Sequence, residues 1–175
     1  MRWKVTASAA AASITARHFI ERGYRKIADV GAQLDTDLCA AQRLEGFSSV
    51  LAEAGVSLHR ETDQDLPRTR ETGQVLTQRL LDRNQPVDAI YCLNDSIAAG
   101  CLSYLYSRDF RIPDDVAVAG FNGTSRDYAV RTNLTTQDVD RREIGRCAAN
   151  LIVDQNALRN PVDLVPDKLV VGTTT

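Results

Sequence analysis

Two short apolar runs constrain this chain more than any other feature. Asp88-Ala89-Ile90-Tyr91-Cys92-Leu93 and Val116-Ala117-Val118-Ala119-Gly120 are of strand length, almost free of polar residues, and closed by Asn94-Asp95 and by Gly120. A strand with no polar alternation has no face for water, so it belongs in a parallel sheet covered by helices on both sides. The neighbouring segments supply those helices.

Apolar residues at helical spacing run from Ser8 to Arg22, with Ala12, Ala16, Phe19 and Ile20 on one face. A second helix carries Ala40, Leu44, Phe47, Val50, Leu51 and Ala54, and a third runs from Thr69 to about Arg83. A fourth spans Ile97 to Ser107, and Asp140 with Glu143 forms a capping-box pattern for a fifth. Gly23 and Gly55 are placed as left-handed helix stops. Ile27–Gly31, Val56–Leu58 and Lys168–Val171 read as further strands, while the polar stretch from Glu61 to Arg70, with Pro67, reads as loop. Strands alternating with helices give an α/β fold, a parallel sheet flanked by helices with right-handed crossovers.

Composition removes several classes. Hydrophobic residues make up 43% of 175 and charged residues 25%, enough apolar material to fold. The 21 basic and 23 acidic residues leave a net charge of −2, so the chain itself has no basic excess to meet nucleic-acid phosphates. No apolar run is long enough to span a bilayer, and the N-terminal stretch is too polar for a signal peptide. Cys39, Cys92, Cys101 and Cys147 lack CxxC spacing, so free thiols in a reducing compartment are expected. His18 and His59 stand alone and read as surface residues, and no metal site is expected. The chain contains no GxGxxG, GxxxxGKS/T or GxSxG, and no cofactor is expected.

In an open parallel sheet, ligands bind beyond the carboxyl ends of the strands. Gly31–Asp37, Asn94-Asp95 and Phe121-Asn122-Gly123 lie there. Their amides, short carboxylates and aromatic ring suit a sugar-like molecule. The same Asn and Asp residues are equally natural as turn residues and helix caps, with Asp95 an obvious N-cap and Asp37 another.

The run Asn94-Asp95-Ser96-Ile97-Ala98-Ala99-Gly100 resembles the "ND-x-x-A-x-G" block of the LacI/GalR family of bacterial transcription regulators. Ile112-Pro113-Asp114-Asp115-Val116-Ala117-Val118-Ala119-Gly120-Phe121-Asn122 resembles its "IPxDVxVxGFD" block. Leu134-Thr135-Thr136, Glu143-Ile144-Gly145-Arg146-Cys147-Ala148, Arg43-Leu44-Glu45-Gly46-Phe47 and the segment Phe19–Ala28 resemble four more, all in the family's order from about Ser8 to Val171. The "GFNG" run further resembles gluconate-type repressors.

The resemblance implies one lobe of a periplasmic-binding-protein-like (type I) fold. It divides the chain into a C-terminal lobe over residues 6–137, a helix over 138–160 that belongs to the N-terminal lobe, and a returning strand and tail over 161–175. The helix-turn-helix and most of the first lobe are expected outside this sequence. The function implied is sensing of a small effector, a sugar or sugar acid, that changes the affinity of the intact cytoplasmic regulator for operator DNA. The effector residues implied are Arg43, Asn94, Asn122, Phe121 and Asp37. Arg43 reads alternatively as a surface arginine, and Phe121 as core. Asn122 replaces the family's usual Asp and removes a negative charge, which suits an anionic effector. Val139 stands where many members have Gln, and Asp29 where the strand is normally apolar.

The family's homodimer would place Ala99, Leu102, Tyr128 and Val130 at the interface, although the same helix could be half-buried in a monomer. No membrane partner and no enzymatic activity are expected. Alternatives are a solute-binding protein of a sugar transporter, or a flavodoxin-like α/β enzyme built on Asp95 with Asn94 or Asp29.

Overall fold

A computed structural model describes residues 8–124, 133–153 and 167–175. Its elements run α1 (Ser8–Glu21), β1 (Ile27–Ala32), α2 (Leu38–Glu53), β2 (Leu58–Asp63), α3 (Arg70–Asp82), β3 (Ala89–Cys92), α4 (Asp95–Ser107), β4 (Ala117–Asn122), β5 (Thr135–Asp138), α5 (Arg141–Val153) and β6 (Lys168–Val170). The six strands form one sheet in the order β2-β1-β3-β4-β5-β6. The first five are parallel, and β6 pairs antiparallel with β5.

The unbroken apolar runs become the two central strands. Side chains alternate across them, so Ala89, Tyr91, Ala117, Ala119 and Phe121 join one core with α1 and α2. Ile90, Cys92 and Val118 join a second core with α3 and α4. Phe47 stacks on Tyr91 with ring centroids 4.2 Å apart, which fixes α2 over the sheet centre.

Caps set the helix starts. Asp37 caps α2 and Thr69 caps α3. Asn94, rather than Asp95, caps α4, its side-chain oxygen accepting from the Ile97 N–H at 2.9 Å. Asp140 accepts from the Glu143 N–H ahead of α5. Gly23 and Gly55 have φ of +90° and +69°, as helix stops require.

Two strands depart from the sequence reading. β2 begins at Leu58 and runs through Glu61–Asp63, a stretch that reads as loop. It is an edge strand, and its charges are paired: Arg83 with Glu61 at 2.5 Å and Arg79 with Asp63 at 2.8 Å. β5 is polar yet buried over Thr135–Gln137, because its threonine hydroxyls find internal partners. His18, expected at the surface, is half-buried and hydrogen-bonds the Thr175 hydroxyl at 2.8 Å. Cys92 and Cys101 are buried free thiols, and Cys39 is a half-buried one.

On α4, the expected interface residues Ala99 and Leu102 are buried within the chain itself. Ala99 is 3% exposed and Leu102 1%, and Leu102 belongs to the α3–α4 core. Ser103, Tyr104, Tyr106 and Ser107 form the accessible side of the helix, and Ala99 and Leu102 face inward. Tyr128 and Val130 lie outside the described residues.

Asp29 is an unusual core residue. It sits on β1 with Arg60 and Tyr91 as its register partners, has no solvent exposure, and neither carboxyl oxygen meets a hydrogen-bond donor among the described residues. Arg60 approaches to 3.7 Å, close enough only for partial compensation. Burial pushes its pKa from 3.8 to about 7, against the pull of Arg60. The folded chain therefore holds this proton where the unfolded chain has lost it. Stability is greatest below about pH 4 for this group and falls as pH rises through about 7, by something of order 4 kcal/mol. Urea unfolding at pH 4.5 and pH 8 checks this: Asp29→Asn should flatten the decline and unfold at higher urea than wild type at pH 8. An unchanged slope in the variant would contradict it.

Candidate functional site

The carboxyl ends of β1, β3, β4 and β5 form one edge of the sheet, and most of the expected site residues gather there. Arg43 on α2 reaches back over the sheet. Its Nη1 donates to the Leu93 carbonyl at 3.0 Å, and its guanidinium lies 4.0 Å from the centroid of the Phe121 ring. Cation–π contact and a backbone acceptor hold it in place, so it is no free surface arginine. Its Nε is buried and has no partner among the described residues.

Phe121 is fully buried with Arg43 on its ring, and in this arrangement it supports the arginine instead of offering that face to a ligand. Asn94 is 8% exposed, and its oxygen is committed to capping α4. Asp37 is committed as well. Its carboxylate accepts from the Cys39 and Ala40 N–H groups at 2.8 and 3.2 Å and pairs with Arg68. Burial alone would raise the Asp37 pKa, but the Ala40 N–H and Arg68 hold it below the ordinary range.

Asn122 ends β4, half-buried, with φ of +105°. Such a backbone is costly for a non-glycine residue and is held by its surroundings. Its carbonyl accepts from Arg141 Nη1 at 3.0 Å, and Gly123 next to it also has positive φ.

Asp95 explains how this edge is fixed. It is fully buried at the start of α4. Its carboxylate accepts from the Thr136 hydroxyl at 2.6 Å, from the Thr124 hydroxyl at 3.2 Å and from the Thr124 N–H. One side chain thus ties α4 to the β4 turn and to β5. Gly120 makes room for it, since a Cβ there would lie 2.4 Å from Asp95 Oδ1.

Two residues at this edge had no signal in the sequence reading. Gln137 lies beside Phe121 in the β4–β5 register and has no solvent exposure, yet neither its side-chain oxygen nor its nitrogen has a partner among the described residues. Asp167 precedes β6, half-buried, and both its oxygens are shielded and unpartnered among the described residues. Burial raises the Asp167 pKa, with Arg43 opposing and Asp138 reinforcing the shift. No local motif marks either residue. Only pairing of β5 with β4 and β6 brings them to Arg43.

Among the described residues, no His/Cys/Asp/Glu group could hold a metal, and no helix is long and apolar enough to cross a membrane.

The profile of the periplasmic binding protein-like domain matches residues 16–175. The chain belongs to the periplasmic binding protein-like family. Within it, the similar proteins are LacI-type repressors. The transcriptional repressor PurR of Mannheimia succiniciproducens is 27% identical over 161 residues, covering 90% of this chain and 48% of PurR. The transcriptional repressor CytR of Escherichia coli K12 is 30% identical over 138 residues, covering 79% of this chain and 40% of CytR. A LacI-family regulator from Silicibacter pomeroyi superposes with a TM-score of 0.85 at 31% identity, over 97% of this chain and 52% of that one. The regulator GntR from Chromobacterium violaceum gives 0.86 at 27% identity, over 97% and 63%. The chain therefore spans about half the length of the curated relatives it matches.

If Asp95 is the tie described, Asp95→Ala strands the Thr124 N–H and the Thr136 hydroxyl, and the chain should lose about 2–4 kcal/mol of stability in urea unfolding. A loss below about 0.5 kcal/mol, the scale of an ordinary surface substitution, would contradict this role.

Proposed function

We propose that this chain is the effector-sensing domain of a LacI-type DNA-binding regulator of the cytoplasm, with a sugar or sugar acid as effector. The observation that carries this reading is the convergence of Arg43, Asn94 and Asn122 on one sheet edge, held by the Asp95 tie. Buried polar atoms of Arg43, Gln137 and Asp167 have no partner there among the described residues, and buried polar groups ordinarily have partners.

α5 supports the same reading. None of its residues with a described side chain is buried, and Val153 is 85% exposed. A helix with apolar residues standing clear of its own sheet fits one that packs on a second lobe. In the whole regulator, effector held between two lobes favours one relative orientation, and operator affinity changes through that two-state coupling. The operator-binding form is a homodimer in this reading. The transporter alternative shares the fold, but the similar proteins found are repressors. Their regulatory role also argues against the enzyme alternative, and Asp95 is consumed by structural hydrogen bonds.

Thermal unfolding with a millimolar panel of sugars, sugar acids, purines and nucleosides tests the sensing role. One chemical class should raise the Tm, since ligand at a hundredfold Kd adds about 2.7 kcal/mol. Arg43→Ala should remove that rise. A panel with no active class, or a rise that survives Arg43→Ala, contradicts the proposal.

A further inference from the structure

The unpaired groups at the sheet edge differ in charge and hydrogen-bonding sense, and that difference bears on the ligand. Gln137 is fully buried on the sheet face that carries Phe121, directly beside it in register, and Arg43 covers Phe121. Its amide offers one acceptor oxygen and two donor hydrogens, none of them used among the described residues. Asp167 directly precedes Lys168, the register partner of Asp138, so its shielded, acceptor-only carboxylate lies at the same end of β5 as Gln137, in the field of Arg43 and Asp138. Arg43 has already given Nη1 to Leu93 and keeps an unused Nε–H. Arg141 is committed to the Asn122 carbonyl, and Asp37 to its cap and Arg68.

A hydroxyl can donate and accept at once, so it can satisfy Asp167 and an Arg43 N–H together. An amino group satisfies the carboxylate with charge assistance. A ligand carboxylate or phosphate satisfies Arg43 alone. It meets Asp167 and Asp138 as like charges and leaves the buried acceptors unpaired, which is the costly outcome.

We propose that Gln137 and Asp167 form, beside Arg43, a subsite selective for a neutral or amino-bearing polyhydroxyl ligand over an anionic one. This rests on the effector-sensing reading and narrows it: the negative charge absent from Asn122 is present on Asp167, so a sugar acid is disfavoured.

Ligand-observed saturation-transfer NMR, which reads weak binding, tests it with the full 175-residue chain. The probes are D-ribose against D-ribonate, D-glucose and D-glucosamine both against D-gluconate, adenosine against AMP, and cytidine against CMP. At least one neutral or amino probe should bind about tenfold or more tighter than its anion. Asp167→Asn should shrink that ratio several-fold, and Gln137→Leu should weaken the neutral probe about tenfold. Dispersed amide spectra of both variants show that they remain folded, and should Gln137→Leu unfold, the ratio in Asp167→Asn decides alone. An anion binding as tightly as its neutral counterpart, or an Asp167→Asn ratio equal to wild type, overturns this inference and leaves the sensing role standing. No binding by any probe overturns both.

Discussion

The Asp95 carboxylate is the interaction on which the candidate site's edge depends. It is buried at the first turn of α4 and accepts hydrogen bonds from the β4 turn and from β5. A buried carboxylate is tolerable only when its oxygens are well supplied with donors, and here backbone and hydroxyl donors meet that need. The consequence is geometric. The turn at Asn122-Gly123 cannot drift away from α4, and β5 cannot slide along β4. Arg43, approaching from the opposite layer, closes the same edge by seating on Phe121.

The two layers have different tasks. α3 and α4 enclose a core of aliphatic residues and two thiols, with the Asp95 tie to Thr136 at its end. The layer beneath α1 and α2 carries Asp29, Gln137 and the Arg43–Phe121 stack. Their order along the sheet separates their roles. Gln137 and Arg43 lie toward the carboxyl edge, where a ligand can compensate them. Asp29 lies within β1 between Arg60 and Tyr91, and burial decides its protonation.

Much of the fold was legible in the sequence because the physical signals were local. Unbroken apolar runs announced β3 and β4, and cap and stop residues bounded α1 and α3 within a residue or so. β2 and β5 were obscure because their stability comes from partners distant in sequence: Arg79 and Arg83 from α3 and its end, Asp95 from α4, and Thr174 and Thr175 beyond β6. Of the candidate site, Arg43, Asn94 and Asn122 were readable from motif position. Gln137 and Asp167 were not, since a lone Gln in a polar strand looks solvated until its neighbours bury it. Ala99 and Leu102 show what motif position leaves out: both are buried within the chain itself. The resemblance implied an interface on α4, and burial depends on which face of the helix meets the core.

The central claim is that the carboxyl edge of the sheet is the binding surface. Amide chemical-shift mapping of the 15N-labelled chain, titrated with whichever probe binds best, tests this most directly. Perturbed amides should cluster at Leu93–Asp95, Asn122–Thr124 and Gln137–Val139. Shifts concentrated at the opposite edge, over Arg22–Lys26, Asn84–Asp88 and Arg111–Asp115, would contradict it.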